Sequence, residues 1–145
     1  MTSRILRGAA KLTCSILLAL LLVNLAQSQQ KPEQVAQKPA EAWLALVDSG
    51  KYAESWQEAS QLFKSAVTQE QWQAAVSAAR NPLGKLLSRN LKSATYTKTL
   101  PGAPDGDYVV IQYDSTFEHK RAAIETITPM LDKDGKWRVS GYFIK

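Results

Sequence analysis

With 145 residues, one cysteine and a net charge of +5, the chain has room for one folded domain and cannot staple itself with an internal disulfide. Its 18 basic against 13 acidic side chains do not mark a nucleic-acid binder. Arg4, Arg7 and Lys11 account for three of the 18, the other 15 nearly balance the 13 acids, and they alternate with them in sign rather than gathering on one face.

Those three cations open a leader. After them "LTCSILLALLLVNL", residues 12–25, is almost wholly apolar, and "AQS", 26–28, ends in small residues. A basic start, a short apolar run and small residues at a cleavage position predict a secretory signal peptide over 1–28, cut after Ser28. The alternative is an uncleaved N-terminal membrane anchor, but a spanning helix needs about 20 apolar residues, more than this run supplies. Cys14 sits ahead of the main apolar stretch rather than at its end, which argues against a lipid-modified cysteine, and it leaves with the leader. The expected location is the periplasm or the medium, with the membrane touched only through an uncleaved leader. A domain without disulfides in such a space relies on its core.

Residues 29–39, "QQKPEQVAQKP", are polar, Gln-rich and broken by Pro32 and Pro39, and predict a flexible linker. The domain is expected over 40–145. From Ala40 the apolar spacing is helical, with Trp43, Leu46 and Val47 on one face. Gly50 occupies the position where a helix end favours positive φ. Tyr52, Trp56, Ala59 and Phe63 recur at three and four and predict a second helix, paired with the first as a hairpin. Thr68 with Gln71 fits a capping box for a third helix carrying Trp72, Ala75, Val76 and Ala79, which Pro82 and Gly84 end.

Beyond Gly84 the period becomes two. Strands are predicted over 91–100, 108–117, 122–131 and 137–144. Val109, Ile111, Tyr113 and Phe117 share one face of the second, with Tyr108, Gln112, Asp114 and Thr116 on the other. In the third, Glu125, Ile127 and Leu131 oppose Ile124, Thr126, Thr128 and Met130. Pro129 lacks an N–H and belongs at an edge or a bulge. Short connections imply an antiparallel meander. Helices followed by sheet give an α+β domain: N-terminal helices packed on a curved four-stranded antiparallel sheet, cone- or cystatin-like.

Two resemblances follow from these stretches. "AWLALVDSGKYAESWQEAS" resembles the helix–Gly–helix opening of cone-shaped domains of the nuclear-transport-factor-two-like type. "LSRNLKSATYTKTLPGAPDGDYVVIQYDSTF" and "ETITPMLDKDGKWRVSGYFIK" resemble the bacterial family known as domain of unknown function 4019. With the helical opening, the likeness covers roughly residues 40–145. It implies a small exported bacterial protein, and brings no catalytic residues with it.

Most chemical motifs fail on spacing. Counting twelve residues from Asp105 ends on Thr116, where a calcium loop needs glutamate. Gly102 and Gly106 do not form a phosphate loop, and a strand follows them instead of a helix. That stretch reads as a bend with solvated Asp105 and Asp107. His119 is the only histidine and falls in an expected hairpin loop, short of the two or more His or Cys ligands typical of zinc enzymes. No metal or other cofactor is expected.

Two sets of residues remain. Asp114 and Glu125 lie on neighbouring strands; either serves as a general base if the sheet curls it into a cavity, and both are ordinary cross-strand residues otherwise. Trp43, Trp56, Trp137, Tyr113 and Tyr142 suit an amphipathic ligand, since each joins apolar area to one polar tip, though tryptophans at helical spacing also build cores. The leading expectation is a non-enzymatic module that binds a small ligand or an envelope protein. The alternatives are a carboxylate-dependent enzyme in a cone fold and a structural homodimer paired through an exposed sheet face.

Overall fold

The computed structural model describes residues 30–145. The leader expected over 1–28 lies outside the described residues. The first helix, α1, runs Pro32–Asp48, followed by α2 (Tyr52–Gln57), α3 (Gln61–Ala66), α4 (Gln69–Arg80) and a 3₁₀ turn at Asn81–Leu83. Four strands follow: β1 (Leu86–Thr97), β2 (Tyr108–Phe117), β3 (Lys120–Leu131) and β4 (Trp137–Ile144). They form one sheet in the order β1-β2-β3-β4, with every neighbouring pair antiparallel. This is the α+β meander that the change of period predicts.

The flexible linker expected over 29–39 is corrected: α1 begins at Pro32. Pro32 opens the helix, where a missing N–H costs nothing and φ is already suitable. Ala36 and Ala40 are fully buried one turn apart, so the polar stretch has a buried stripe too narrow to register in its composition. Pro39 lies inside the helix and cannot donate to Val35, a cost that burial of Ala36, Ala40, Trp43, Leu44 and Val47 outweighs. At the far end Gly50 N donates to Val47 O (3.0 Å) and Lys51 N to Leu46 O (2.9 Å), the paired bonds of a Schellman motif, with Gly50 at φ +73°.

The single second helix expected from Tyr52 to Phe63 is two short ones. Ser60 divides them, because its hydroxyl accepts from Phe63 N (3.1 Å) and its own N–H donates to Val139 O of β4 (2.9 Å). Being fully buried, Ser60 ties the helices to the sheet where a continued helix would have no such contact. The capping box at Thr68 is present in both directions. On α4 the buried places go to Trp72, Val76 and Arg80, while Ala75 and Ala79 are exposed.

β2 and β4 occupy the predicted residues, and β3 starts two residues earlier than expected. β1 differs most, starting at Leu86 and ending at Thr97, where Thr99 N bonds back to Thr97 Oγ1 (3.3 Å). An edge strand with few buried side chains leaves little alternation to read. Pro129 sits at a register break between β3 and β4. The helices cover the face bearing Val109, Ile111, Tyr113, Ile127 and Val139, which pack with Trp43, Leu44, Val47, Phe63, Trp72 and Val76 into one core. On the opposite face Tyr108 is also fully buried, its hydroxyl donating to Pro104 O (2.7 Å), so the 98–107 loop folds over that end of the sheet. Asp107 is correspondingly more than a solvated loop acid: it accepts the Tyr96 hydroxyl.

Candidate functional site

Where the helices meet the sheet, a charged network runs from buried Glu125 and Arg80 out through Arg89 to Asp48 at the surface. Glu125 on β3 is 0% exposed and accepts from four directions: Arg89 Nε to Oε2 (2.7 Å), Arg89 Nη2 to Oε1 (3.0 Å), Ser115 Oγ to Oε2 (2.5 Å) and Tyr142 OH to Oε1 (2.7 Å). Arg89 also reaches Asp48 through Nη1 (2.7 Å) and Nη2 (3.0 Å). Arg80, 6% exposed, donates from Nη2 to Asp48 (2.9 Å), lies 3.9 Å from Glu125 through Nη1, and rests its guanidinium 4.8 Å from the centre of the Phe117 ring. Two arginines thus offset two carboxylates.

Strand alternation assembles this set. Arg89 faces Ser115 across β1–β2, and Ser115 and Glu125 both point to the helix side of their strands. Asp48 is the last residue of α1 and Arg80 the last of α4, so both helix ends deliver charge to one point. Burial pushes the Glu125 carboxyl up, but the Arg89 bonds and charge, with Ser115 and Tyr142, prevail and hold it below the usual carboxylate range. Asp48 is lowered in the same way: burial opposes, and Arg89 and Arg80 win. Burial, then the Glu125 charge, raises the Tyr142 phenol. Burial and the charge of Glu41 push Tyr113 up to about 12, and its buried hydroxyl has no hydrogen-bond partner among the described residues.

An aromatic group roofs the network. Trp43 lies 5.5 Å from Trp72 and 5.6 Å from Tyr142 between ring centroids, and Phe63 meets Trp72 edge-on at 5.1 Å. Both indoles are satisfied at Ser55, Trp43 Nε1 by its carbonyl (2.7 Å) and Trp72 Nε1 by its hydroxyl (2.9 Å).

A half-open groove of about 410 Å³ runs between α1 and the start of β4. Pro39, Ala42 and Leu46 form one wall with an edge of Trp43; Trp137 and Val139 form the other; Glu58, Lys136 and Arg138 stand on it as charged lining. A second depression of about 520 Å³ borders Asp114, Arg121 and Lys145 near the β2–β3 hairpin. Glu125, Asp48, Arg89 and Tyr142 line neither.

The seven residues singled out from sequence therefore divide. Glu125 and Tyr142 meet in the interior network, and Tyr113 is buried on the same side of the sheet. Trp43 links that interior to the groove, where Trp137 joins it. Trp56 stands apart, its Nε1 donating to Val67 O (2.9 Å). Asp114 is solvent-facing, with a side chain 59% exposed and paired to Lys92 at 3.1 Å. Sequence reasoning missed Asp48, Arg80, Arg89 and Ser115. The available signal was a charge at two helix ends and an arginine in an edge strand, none of which marks burial by itself.

A search of the curated proteins finds no match to the chain. The family model described as "Protein of unknown function (DUF4019)" matches residues 39–142, from the middle of α1 almost to the end of β4. The match takes in both the charged network and the groove, and the chain belongs to that family.

Proposed function

We propose that this is an exported, non-enzymatic binding domain whose site is the groove between α1 and β4. The observation that carries the reading is the saturation of Glu125. A general base needs a free lone pair and a path to substrate. Glu125 has four donors on its two oxygens, is held ionised by Arg89, and lines neither depression. The groove has what the network lacks: aromatic and aliphatic walls beside charged side chains that solvent and partners reach. The basic start and apolar run of residues 1–28 support export.

The test is site-specific photocrosslinking in cells. A crosslinker at Ala42, which is exposed on the groove wall, is expected to trap a partner, and one at exposed His119 on the β2–β3 hairpin is not. Equal adducts at both positions, or none at Ala42, would sink the reading. Export is checked by intact-mass analysis of the fractionated protein, which is expected to begin at Gln29.

A homodimer is favoured by one feature. Phe143 is 54% exposed, and since Tyr142 faces the helices, alternation puts Phe143 on the opposite face of the sheet. Sedimentation showing only monomer at tens of micromolar removes that reading.

A further inference from the structure

We propose that the open edge of β4 at Trp137 takes an extended peptide, docked as a short fifth strand with an acidic side chain at Lys136. This rests on the binding-domain reading and names the ligand class for the same groove.

The backbone carries the argument. Antiparallel ladders alternate, so residues whose peptide groups bond inward are followed by residues whose groups point out. Asp132 N donates to Lys136 O (2.9 Å), which fixes Lys136 as bonded toward β3. Val139 O instead accepts from Ser60 N (2.9 Å), on the far side of β4 from β3. Trp137 is two residues before Val139 and shares its parity, so its N–H and C=O face the free edge. Among the described residues no loop backbone or side chain bonds them. Ser60 thus already makes at Val139 the kind of bond that the short incoming strand would make at Trp137.

The side chains select the same ligand. The groove beside this edge offers Ala42, Leu46, Trp137 and the edge of Trp43 to one apolar side chain of an alternating peptide. Arg138 is spent on Asp132 (2.9 Å) and Asp134 (2.8 Å). Lys136 is exposed and in no ion pair among the described residues, so it is the cation free to meet a ligand acid. Glu58 across the groove is likewise without an ion pair and matches a basic residue of the same peptide. A lipid chain would leave the Trp137 donor and acceptor unmatched and would lie in a groove open to solvent; a peptide backbone matches both. The other sheet edge is blunted: β1 carries two register breaks, and exposed Lys92 sits at the second.

The experiment uses the full chain and a pool of capped heptapeptides that alternate Val or Thr with charged residues. Peptides retained by the protein are identified by mass, and the most enriched one is remade with N-methyl groups on one or the other set of alternate residues. Enrichment of Asp- or Glu-bearing peptides is expected. N-methylation in the register facing β4 should weaken binding at least tenfold and the opposite register should change it little. Lys136→Glu should weaken the acidic peptide at least fivefold and shift enrichment to Lys- or Arg-bearing ones. No enrichment, or equal affinity in both methylated registers, overturns the proposal. If Ala42 crosslinks persist in either case, the binding reading stands with another class of ligand.

Discussion

Glu125 shows how a single side chain is decided by opposing terms. Removing a carboxylate from water costs several kcal/mol, and only close, well-aligned donors return it. Here Arg89 supplies two bonds and Ser115 and Tyr142 one each. Glu125→Ala would leave Arg80 and Arg89 sharing the one carboxylate of Asp48, with a net positive charge in the interior, and is expected to cost about 3–5 kcal/mol, read as a fall in the urea midpoint. Gly50 tests a different force. A Cβ at that position meets nothing within 4 Å, so Gly50→Val costs backbone strain alone, about 1–2 kcal/mol from φ +73°. An unchanged midpoint would show that the helix end can relax. The glycine was legible from sequence because the rule it obeys is local. Arg80 and Arg89 were not, since a charge reads as surface until the partners that bury it are brought from elsewhere in the chain.

Among the elements, α4 and its cap are the most locally determined. Thr68 Oγ1 accepts from Gln71 N (3.2 Å) and Gln71 Oε1 accepts from Thr68 N (2.9 Å). Thr68→Ala is expected to cost about 1 kcal/mol, with calorimetry as the check. Ser60 caps α3 in a similar way but also bonds β4. Its change to alanine keeps the N–H to Val139 and loses only the cap, so a cost much above about 2 kcal/mol would mean the hydroxyl does more than cap. Elements that obey local rules were readable: the capping box, the alternation of β2 and β4, the bulge at Pro129. The break at Ser60 and the start of α1 at Pro32 were hidden. Both depend on contacts across the fold, Ser60 with β4 and Ala36 with the core: Ser60 leaves no periodic trace, and Ala36 only a lone alanine one turn before Ala40.

For the whole molecule, the network predicts how stability follows pH. The Glu125 and Asp48 carboxyls sit below their ordinary values of 4.5 and 3.8 when folded. Above those values folded and unfolded chains are both ionised and the contribution is complete. As pH falls through them the unfolded chain takes up protons first, and stability drops toward the lower folded values. Urea midpoints are therefore expected to be level from pH 7 to about 5 and to fall below about 4.5, the ordinary value for the Glu125 carboxyl. Glu125→Gln, already less stable at pH 7, should show a shallower fall; a parallel one would place the acid sensitivity elsewhere. Because these pairs are largely shielded, added salt should shift the midpoint little at pH 7.

Sequence by itself determined the class of this protein: helices followed by an antiparallel meander, and a core that works without sulfur bridges. Those features are periodic or local, so a window of a few residues carries them. Only the tertiary structure decided which face of the sheet holds a charge-balanced network and where α1 begins. It also decided that Trp43 and Trp137 border one groove while Glu125 is sealed away from it. Residues 48, 80, 89 and 125 come from four elements, and burial is a property of the contacts those elements make together, which no single stretch of chain contains.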